Sequence, residues 1–288
     1  MGRIQTEETK RKIIETRIKN NLNDGMYKNR WDEIIYFYKS GKTIKTISEI
    51  IGCSNVPIRN ALKKSGTYIR GHGAKYIIND YFFDNIDSEI KSYWLGMIAT
   101  DGTIRKDSNR NEIVLSLKVE DVEHIGKFLR DIGSSSKIYY VTRGKSKQAY
   151  ASVCSGQLKN ALIKLGITPN KSLTLKCPII DKKLERHFWR GAVDGDGCLR
   201  KATNGNYYSI SMNGTLDIIN GYIKFLRRNG IISPNPLSRG NIFSVGHGGR
   251  NVFLIAKLLY ENSNVFLNRK EKIAQEIIKR YKDKYASC

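Results

Sequence analysis

One nine-residue stretch occurs twice in this chain. WLGMIATDG, Trp94 to Gly102, and WRGAVDGDG, Trp189 to Gly197, agree at the Trp, at the Gly two residues on and at the closing Asp-Gly, and Asp196 follows Asp101 by 95 positions. An internal repeat at that spacing restricts the fold to two related, domain-sized units. Each copy ends an apolar, helix-like run. Asp87 or Ser88 is placed to cap the first helix and Asp181 the second, while Gly102 and Gly197 occupy positions where a left-handed C-terminal cap is wanted. Small residues fall four apart, Gly96 with Thr100 and Gly191 with Gly195, so one face of each helix is nearly bare. Two such helices can pack with their backbones close.

Packed that way, Asp101 and Asp196 end neighbouring helices, where the macrodipole disfavours a carboxylate by roughly 0.3–1 kcal/mol. Like-charge repulsion adds to the penalty. A local rule broken twice at equivalent positions points to function. A divalent cation relieves both penalties, and paired hard oxygen ligands without His or Cys suit Mg²⁺. Carboxylates with a metal are the equipment of phosphodiester hydrolysis.

The two copies resemble the paired signature of LAGLIDADG homing endonucleases in their single-chain, two-repeat form. The lead-in NDYFFDNIDSEIKSYWLGMIATDG, residues 79–102, is similar as well, and the resemblance extends over residues 79–281. The penultimate aspartate is present in both copies, whereas the sixth position, usually acidic, is Asp194 in the second and Ala99 in the first. The resemblance implies double-strand cleavage across the minor groove with short 3′ overhangs, at a long target in an intron- or intein-lacking allele. It implies that Asp101 and Asp196 are catalytic and each hold a divalent cation, Mg²⁺ with Mn²⁺ or Ca²⁺ able to substitute for binding. Lys171, and Lys270 beside Arg269, resemble the family's central lysine, which orders water or stabilises developing charge; a surface lysine at a helix start is the alternative. Without a terminal His-Asn the chain does not resemble an intein with splicing blocks, so a free-standing or intron-encoded enzyme is expected.

A formal charge of +23 on 288 residues calls for a polyanionic partner, and nucleic acid is the expected one. An anionic membrane surface is the alternative, but no apolar run reaches 18 residues and no signal peptide appears. An intracellular location is expected. Cys53, Cys154, Cys177, Cys198 and Cys288 show no C-x-x-C spacing and read as free thiols, and the histidines at 72, 124, 187 and 247 never pair at metal-ligand spacing. DGDG at 194–197 lacks the rest of a calcium loop, and no P-loop or G-x-S-x-G occurs.

Residues 1–75 carry 16 Lys and Arg against 7 Asp and Glu. Residues 1–30 read as a basic arm, either solvated or a helix on DNA. WDEIIYFYKSG and then TIKTISEIIGCSNVPIRNALKKSG read as a helix followed by a helix-turn-helix, packed through Ile44, Ile47, Ile50, Ile51, Val56, Ile58 and Leu62. Its second helix presents Asn55, Arg59, Asn60 and Lys63, a composition suited to a major groove. A packing unit with no nucleic-acid role is the alternative. TYIRGHGA, residues 67–74, reads as a linker.

Beyond each motif the chain runs in parallel. NEIVLSLKV alternates apolar and polar, NYYSISMNG less strictly; each leads into an amphipathic helix sharing KFLR, then a second strand pair and a closing helix. The expected fold is α+β: a pseudo-two-fold core of two αββαββα repeats forming a saddle of antiparallel sheets, with helices on one face and solvent or ligand on the other. Arg105, Lys118, Lys137, Arg143, Lys147, Gln148, Arg200, Ser209, Ser211, Arg239 and Asn241 are the expected polar members of the open faces, able to neutralise phosphates or read base edges.

The boundaries expected are 1–75 for the arm, helix-turn-helix and linker, 76–176 for the first repeat, and 177–288 for the second repeat with a final charged helix. The function expected is a site-specific endonuclease on double-stranded DNA, acting as a monomer because one chain holds both repeats. The alternative is a regulator or intron-RNA maturase that keeps the scaffold without cutting.

Overall fold

The computed structural model describes residues 27–67, 69, 77–106, 111–144, 146–203 and 207–285. Residues 1–26 of the expected arm and most of the expected linker lie outside the described residues. The chain divides into two compact units, Met1–Asp80 and Tyr81–Cys288.

In the first unit three helices follow one another: α1 (Trp31–Lys39), α2 (Ile44–Ile51) and α3 (Asn55–Lys64). The Thr43 hydroxyl opens α2 by accepting the amide of Thr46 at 3.0 Å, and Gly52, at φ +75°, closes it in the left-handed conformation a turn there requires. Ile34 and Tyr38 of α1, Ile47 and Ile51 of α2, and Ile58, Ala61 and Leu62 of α3 make the core. Ile50 and Val56, expected within it, are 46% and 36% exposed. The inward stripe of α3 falls on Pro57, Ile58, Ala61 and Leu62, which leaves Val56 one residue off it; Ile47 and Ile51 define the stripe of α2 and turn Ile50 aside.

The second unit runs α4 (Glu89–Thr100), β1 (Gly102–Ile104), β2 (Glu112–Lys118), α5 (Val122–Asp131), β3 (Ile138–Arg143), β4 (Ser146–Cys154) and α6 (Gly156–Lys164), then repeats the order. The second pass is α7 (Glu185–Asp196), β5 (Cys198–Lys201), β6 (Tyr208–Gly214), α8 (Leu216–Arg228), β7 (Leu237–Arg239), β8 (Ile242–His247) and α9 (Gly249–Tyr260), with α10 (Asn268–Tyr285) added. Two antiparallel sheets result, ordered β1-β2-β4-β3 and β5-β6-β8-β7. The fold is thus α+β with two αββαββα repeats. Alternation decides the faces: Ile113, Leu115 and Leu117 of β2 and Ile210 and Met212 of β6 are buried, and their intervening neighbours are not. Amphipathic α5 and α8 bury Ile125 and Phe128, and Ile219 and Tyr222.

The motif helices α4 and α7 pack backbone to backbone. A Cβ on Gly96 would overlap the carbonyl oxygen of Phe188 and come within 2.8 Å of the Ala192 nitrogen; one on Gly191 would overlap the Tyr93 carbonyl oxygen. Of the two caps expected for α4, Ser88 serves, accepting the Lys91 amide; α7 differs from expectation in having no side-chain cap, because Asp181 instead starts a turn whose carbonyl accepts the amides of Leu184 and Glu185. Gly102 and Gly197 are not left-handed caps. Gly102 begins β1 and Gly197 has φ −78°; glycine is needed because a Cβ would press on Ile98 and Val193, whose carbonyl oxygens would lie 2.6 and 2.5 Å away.

Candidate functional site

Each motif helix delivers an aspartate where its last turn meets the first strand. The Asp101 amide bonds the Met97 carbonyl at 2.9 Å and so continues α4, and Asp196 is the last residue of α7. The Thr100 hydroxyl folds back onto the carbonyls of Gly96 and Met97 at 3.1 and 3.0 Å. Gly195 leaves room for it: a Cβ there would overlap the Thr100 hydroxyl and lie 3.3 Å from Asp101 Oδ2. The carboxyl of one repeat therefore rests against the motif of the other.

Burial, then the charge of Asp196, push the Asp101 carboxyl up to about 6, against the opposing pull of Lys270, Lys171 and Arg269. Asp196 retains an exposed edge, yet the atoms packed around its carboxyl also raise its pKa, with Lys171 and Lys270 opposing. Both side chains are held in a state that resists ionisation.

Lys171 and Lys270 meet this site from within. Both are buried, 8% and 2% exposed. Lys171 starts a short 3-10 turn and donates to the carbonyls of Thr100 and Gly102 at 3.2 and 2.5 Å. Lys270, in the first turn of α10, reaches the carbonyls of Val193, Asp194, Gly195 and Gly197 at 2.7, 2.7, 3.2 and 2.6 Å. Thr100 and Gly195 are equivalent in the repeat, as are Gly102 and Gly197, so each lysine caps the same carbonyls of its own motif helix, where the dipole is negative. The field then crosses over: Lys171 opposes the raised pKa of Asp196 most, and Lys270 that of Asp101. Burial lowers the pKa of both ammoniums, Lys270 to about 8. Arg269 turns away, its Nε bonding both carboxylate oxygens of Asp121 at 3.1 and 2.9 Å.

A second buried network was not apparent in the sequence. Asp194 accepts the hydroxyls of Tyr93 and Tyr260 and the amide of Leu267, each at 2.7 Å. It thereby ties α4, the end of α9 and the segment leading to Lys270. Arg190, fully buried, bonds Glu89 at 2.6 Å and the carbonyls of Val265 and Leu259 at 2.8 and 2.9 Å. The first copy has Leu95 and Ala99 at these positions, so the network exists on one side alone. The only sequence signal was the acidic sixth residue; its partners lie 66 to 101 positions away.

Strand register sorts the remaining candidates. Lys118 and Gln148 pair on the open face of the first sheet, Lys137 precedes β3 with the same alternation, and Arg143 ends β3 opposite Ser146. Lys147 pairs with Thr142 and alternates onto the helix-side face near the hairpin end, off the open face expected for it. Arg105 follows β1 and pairs with Glu112 at 3.0 Å. On the second sheet Arg200 pairs with Ser209 and Arg239 with Ile242 on the open face, with Ser211 beside them; Asn241 lies in the hairpin turn instead. In the first unit Asn55 and Lys63 are exposed and Arg59 and Asn60 partly so.

Among the described residues no three His, Cys, Asp or Glu side chains group as metal ligands; the carboxyls at the motif junction are the two of Asp101 and Asp196. No described helix is long and apolar enough to cross a membrane.

No protein-family model matches the chain, and no curated protein is similar to it in sequence. Solved structures are similar in fold. The homing endonuclease I-WcaI bound to its DNA recognition sequence shares 16% identity over 71% of this chain and 94% of that one, with a TM-score of 0.48. The N-terminal LAGLIDADG domain of DUF199/WhiA shares 14% over 67% of this chain and 93% of that one, with a TM-score of 0.44. Full-length DUF199/WhiA from Thermatoga maritima shares 14% over 68% of this chain, with a TM-score of 0.43, and the chain spans 64% of that protein's length.

Proposed function

We propose that this chain is a site-specific endonuclease for double-stranded DNA that requires a divalent cation. The observation carrying this reading is the pair Asp101 and Asp196, set against each other at the ends of two backbone-packed helices with both pKa values raised. A dication fits that donor set, since it offsets the desolvation and repulsion that oppose ionisation, and Mg²⁺ suits hard oxygen ligands. Mn²⁺ or Ca²⁺ would substitute for binding. Such an ion supplies Lewis-acid activation of a phosphodiester and of the attacking water.

The chain's own residues have separable roles. Asp101 and Asp196 hold the metal, one from each repeat. Lys171 and Lys270 fix the carbonyl ends of the motif helices and keep a positive potential beside the carboxylates. That makes them positioning residues more than direct proton donors, because both ammoniums are already engaged. Lys118, Gln148, Arg143, Arg200 and Arg239 are proposed to line a duplex on the two open faces, one half-site on each, with cleavage of both strands and short 3′ overhangs. The helix-turn-helix within residues 31–66, in the N-terminal domain of 1–75, is proposed to anchor flanking DNA through Asn55, Arg59, Asn60 and Lys63. A single chain then suffices as the active species, with repeats at 76–176 and 177–288.

The test is cleavage of a randomised or genomic duplex library by wild type, Asp101→Asn and Asp196→Asn, in Mg²⁺ and in EDTA. Cuts at a recurring site in Mg²⁺ alone, lost in both variants while binding is kept, are expected. Tight binding without cuts in any divalent metal would assign the chain as a non-cleaving DNA-binding regulator or an RNA maturase.

A further inference from the structure

The two open faces differ in chemistry. On the first sheet Ser116, Tyr150 and Tyr139 stand side by side across β2, β4 and β3, and the two rings stack with centroids 5.5 Å apart. Val114, Val141 and Tyr150 line a broad concavity of about 590 Å³ together with Arg105 and Lys106 and the polar Thr103, Ser116 and Asn170. Register identifies the counterparts on the second sheet. Val114 opposes Thr103 as Ser211 opposes Cys198, and Ser116 opposes Tyr150 as Asn213 opposes Ser244. Val114 and Tyr150 are thus matched by Ser211 and Ser244, and Val141 by Arg239, whereas Tyr139 is matched by the apolar Leu237. Ile242 takes the place of Gln148.

Resting on the reading that a duplex lies on these faces, we infer that the first sheet selects thymine-bearing sequence by contacting 5-methyl groups with Val114, Val141 and Tyr150. The second sheet reads polar base edges. The thymine methyl is the one apolar group displayed in a major groove, so the valines and the tyrosine ring of this concavity, beside two cations, have one matching base. Phosphates are drawn to the cationic edge and seat the methyls against the valines. Ser211, Asn213 and Ser244 offer hydrogen bonds to several bases and gain nothing from a methyl.

The experiment selects duplexes bound in Ca²⁺ from a randomised library, then rebuilds the recovered site with uracil for thymine in one half at a time, which deletes only the methyl. Thymine is expected to be enriched in one half, where uracil weakens binding about fourfold for each buried methyl. Uracil in the other half leaves affinity nearly unchanged. The triple variant Val114→Ser, Val141→Ser, Tyr150→Ser removes the penalty and identifies the first sheet as the reader, while Ser211→Ala leaves it intact. Equal penalties in both halves, no penalty in either, or a penalty that survives the triple variant overturns the inference and leaves DNA binding standing. Recovery of no bound duplex overturns the underlying reading instead.

Discussion

The ammonium of Lys270 lies 2.6 Å from the carbonyl oxygen of Gly197, the residue immediately after Asp196. Three more carbonyls of the same helix end, those of Val193, Asp194 and Gly195, converge on that nitrogen. Replacing it with the isosteric apolar chain in Lys270→Met strands buried acceptors and is expected to cost about 3 kcal/mol. Lys171→Met, which removes two such bonds, should cost about half as much. Urea unfolding midpoints measure both, and equal losses would contradict the difference in coordination.

The helix crossing supplies a steric prediction. Gly96→Ala and Gly191→Ala each drive a methyl into a carbonyl of the facing helix, so each should destabilise by about 3 kcal/mol or more. Gly246→Ala, whose added carbon would sit 3.9 Å from Ser211, serves as the tolerated control. Wild-type-like unfolding of either motif variant would rule out the close contact.

The folded Asp101 carboxyl titrates at about 6 against an ordinary 3.8, because burial and then Asp196 disfavour its charge. The folded chain therefore holds that proton more tightly than the unfolded chain does. The resulting stabilisation is complete below about 3.8 and is lost as pH rises through about 6. Asp196, shifted in the same direction, steepens the loss. Thermal unfolding in EDTA should show wild type weakening across this window, and Asp101→Asn should be flatter and more stable by about 2 kcal/mol near neutrality. A variant less stable than wild type at neutral pH would reverse the sign and sink the argument.

Metal binding should follow the same titration. Mg²⁺ competes with protons for the two carboxyls, so it should raise the melting temperature above the Asp101 pKa of about 6 and do little well below it. The shift should vanish in the Asp101→Asn, Asp196→Asn double variant. A shift of equal size in that variant would locate the ion elsewhere.

Asp194 satisfies three buried donors at once. Asp194→Ala leaves two hydroxyls and an amide without an acceptor and should cost more than about 3 kcal/mol, with Asp194→Asn intermediate because its amide offers one acceptor oxygen. Ala99→Ser, at the equivalent position of the first copy, removes no such bond. Hydrogen exchange should show the leading segment of α10 opening in Asp194→Ala.

Much of the architecture was readable from local pattern. The duplicated motif gives the bare helix faces, and two-residue alternation along β2 and β6 gives the buried sides of both sheets. What escaped was information carried by distant partners. Gly102 and Gly197 look like cap glycines in one dimension, yet the demand on them comes from Ile98 and Val193 of the preceding turn. Lys171 and Lys270 look like catalytic or surface lysines until the carbonyls about 70 positions earlier are seen around them. Lys147 fell on the helix side and Asn241 in a turn because the β3–β4 and β7–β8 hairpins set a register that composition does not encode.

The separation between the two carboxylates is a gauge cut from main chain. Where α4 crosses α7, each polypeptide backbone rests on the other with no side chain between them. Substitution elsewhere in either repeat can reshape the sheets, their charge and their reach without lengthening that interval. The two carboxyls are thus held as a pair at a distance neither repeat can renegotiate alone.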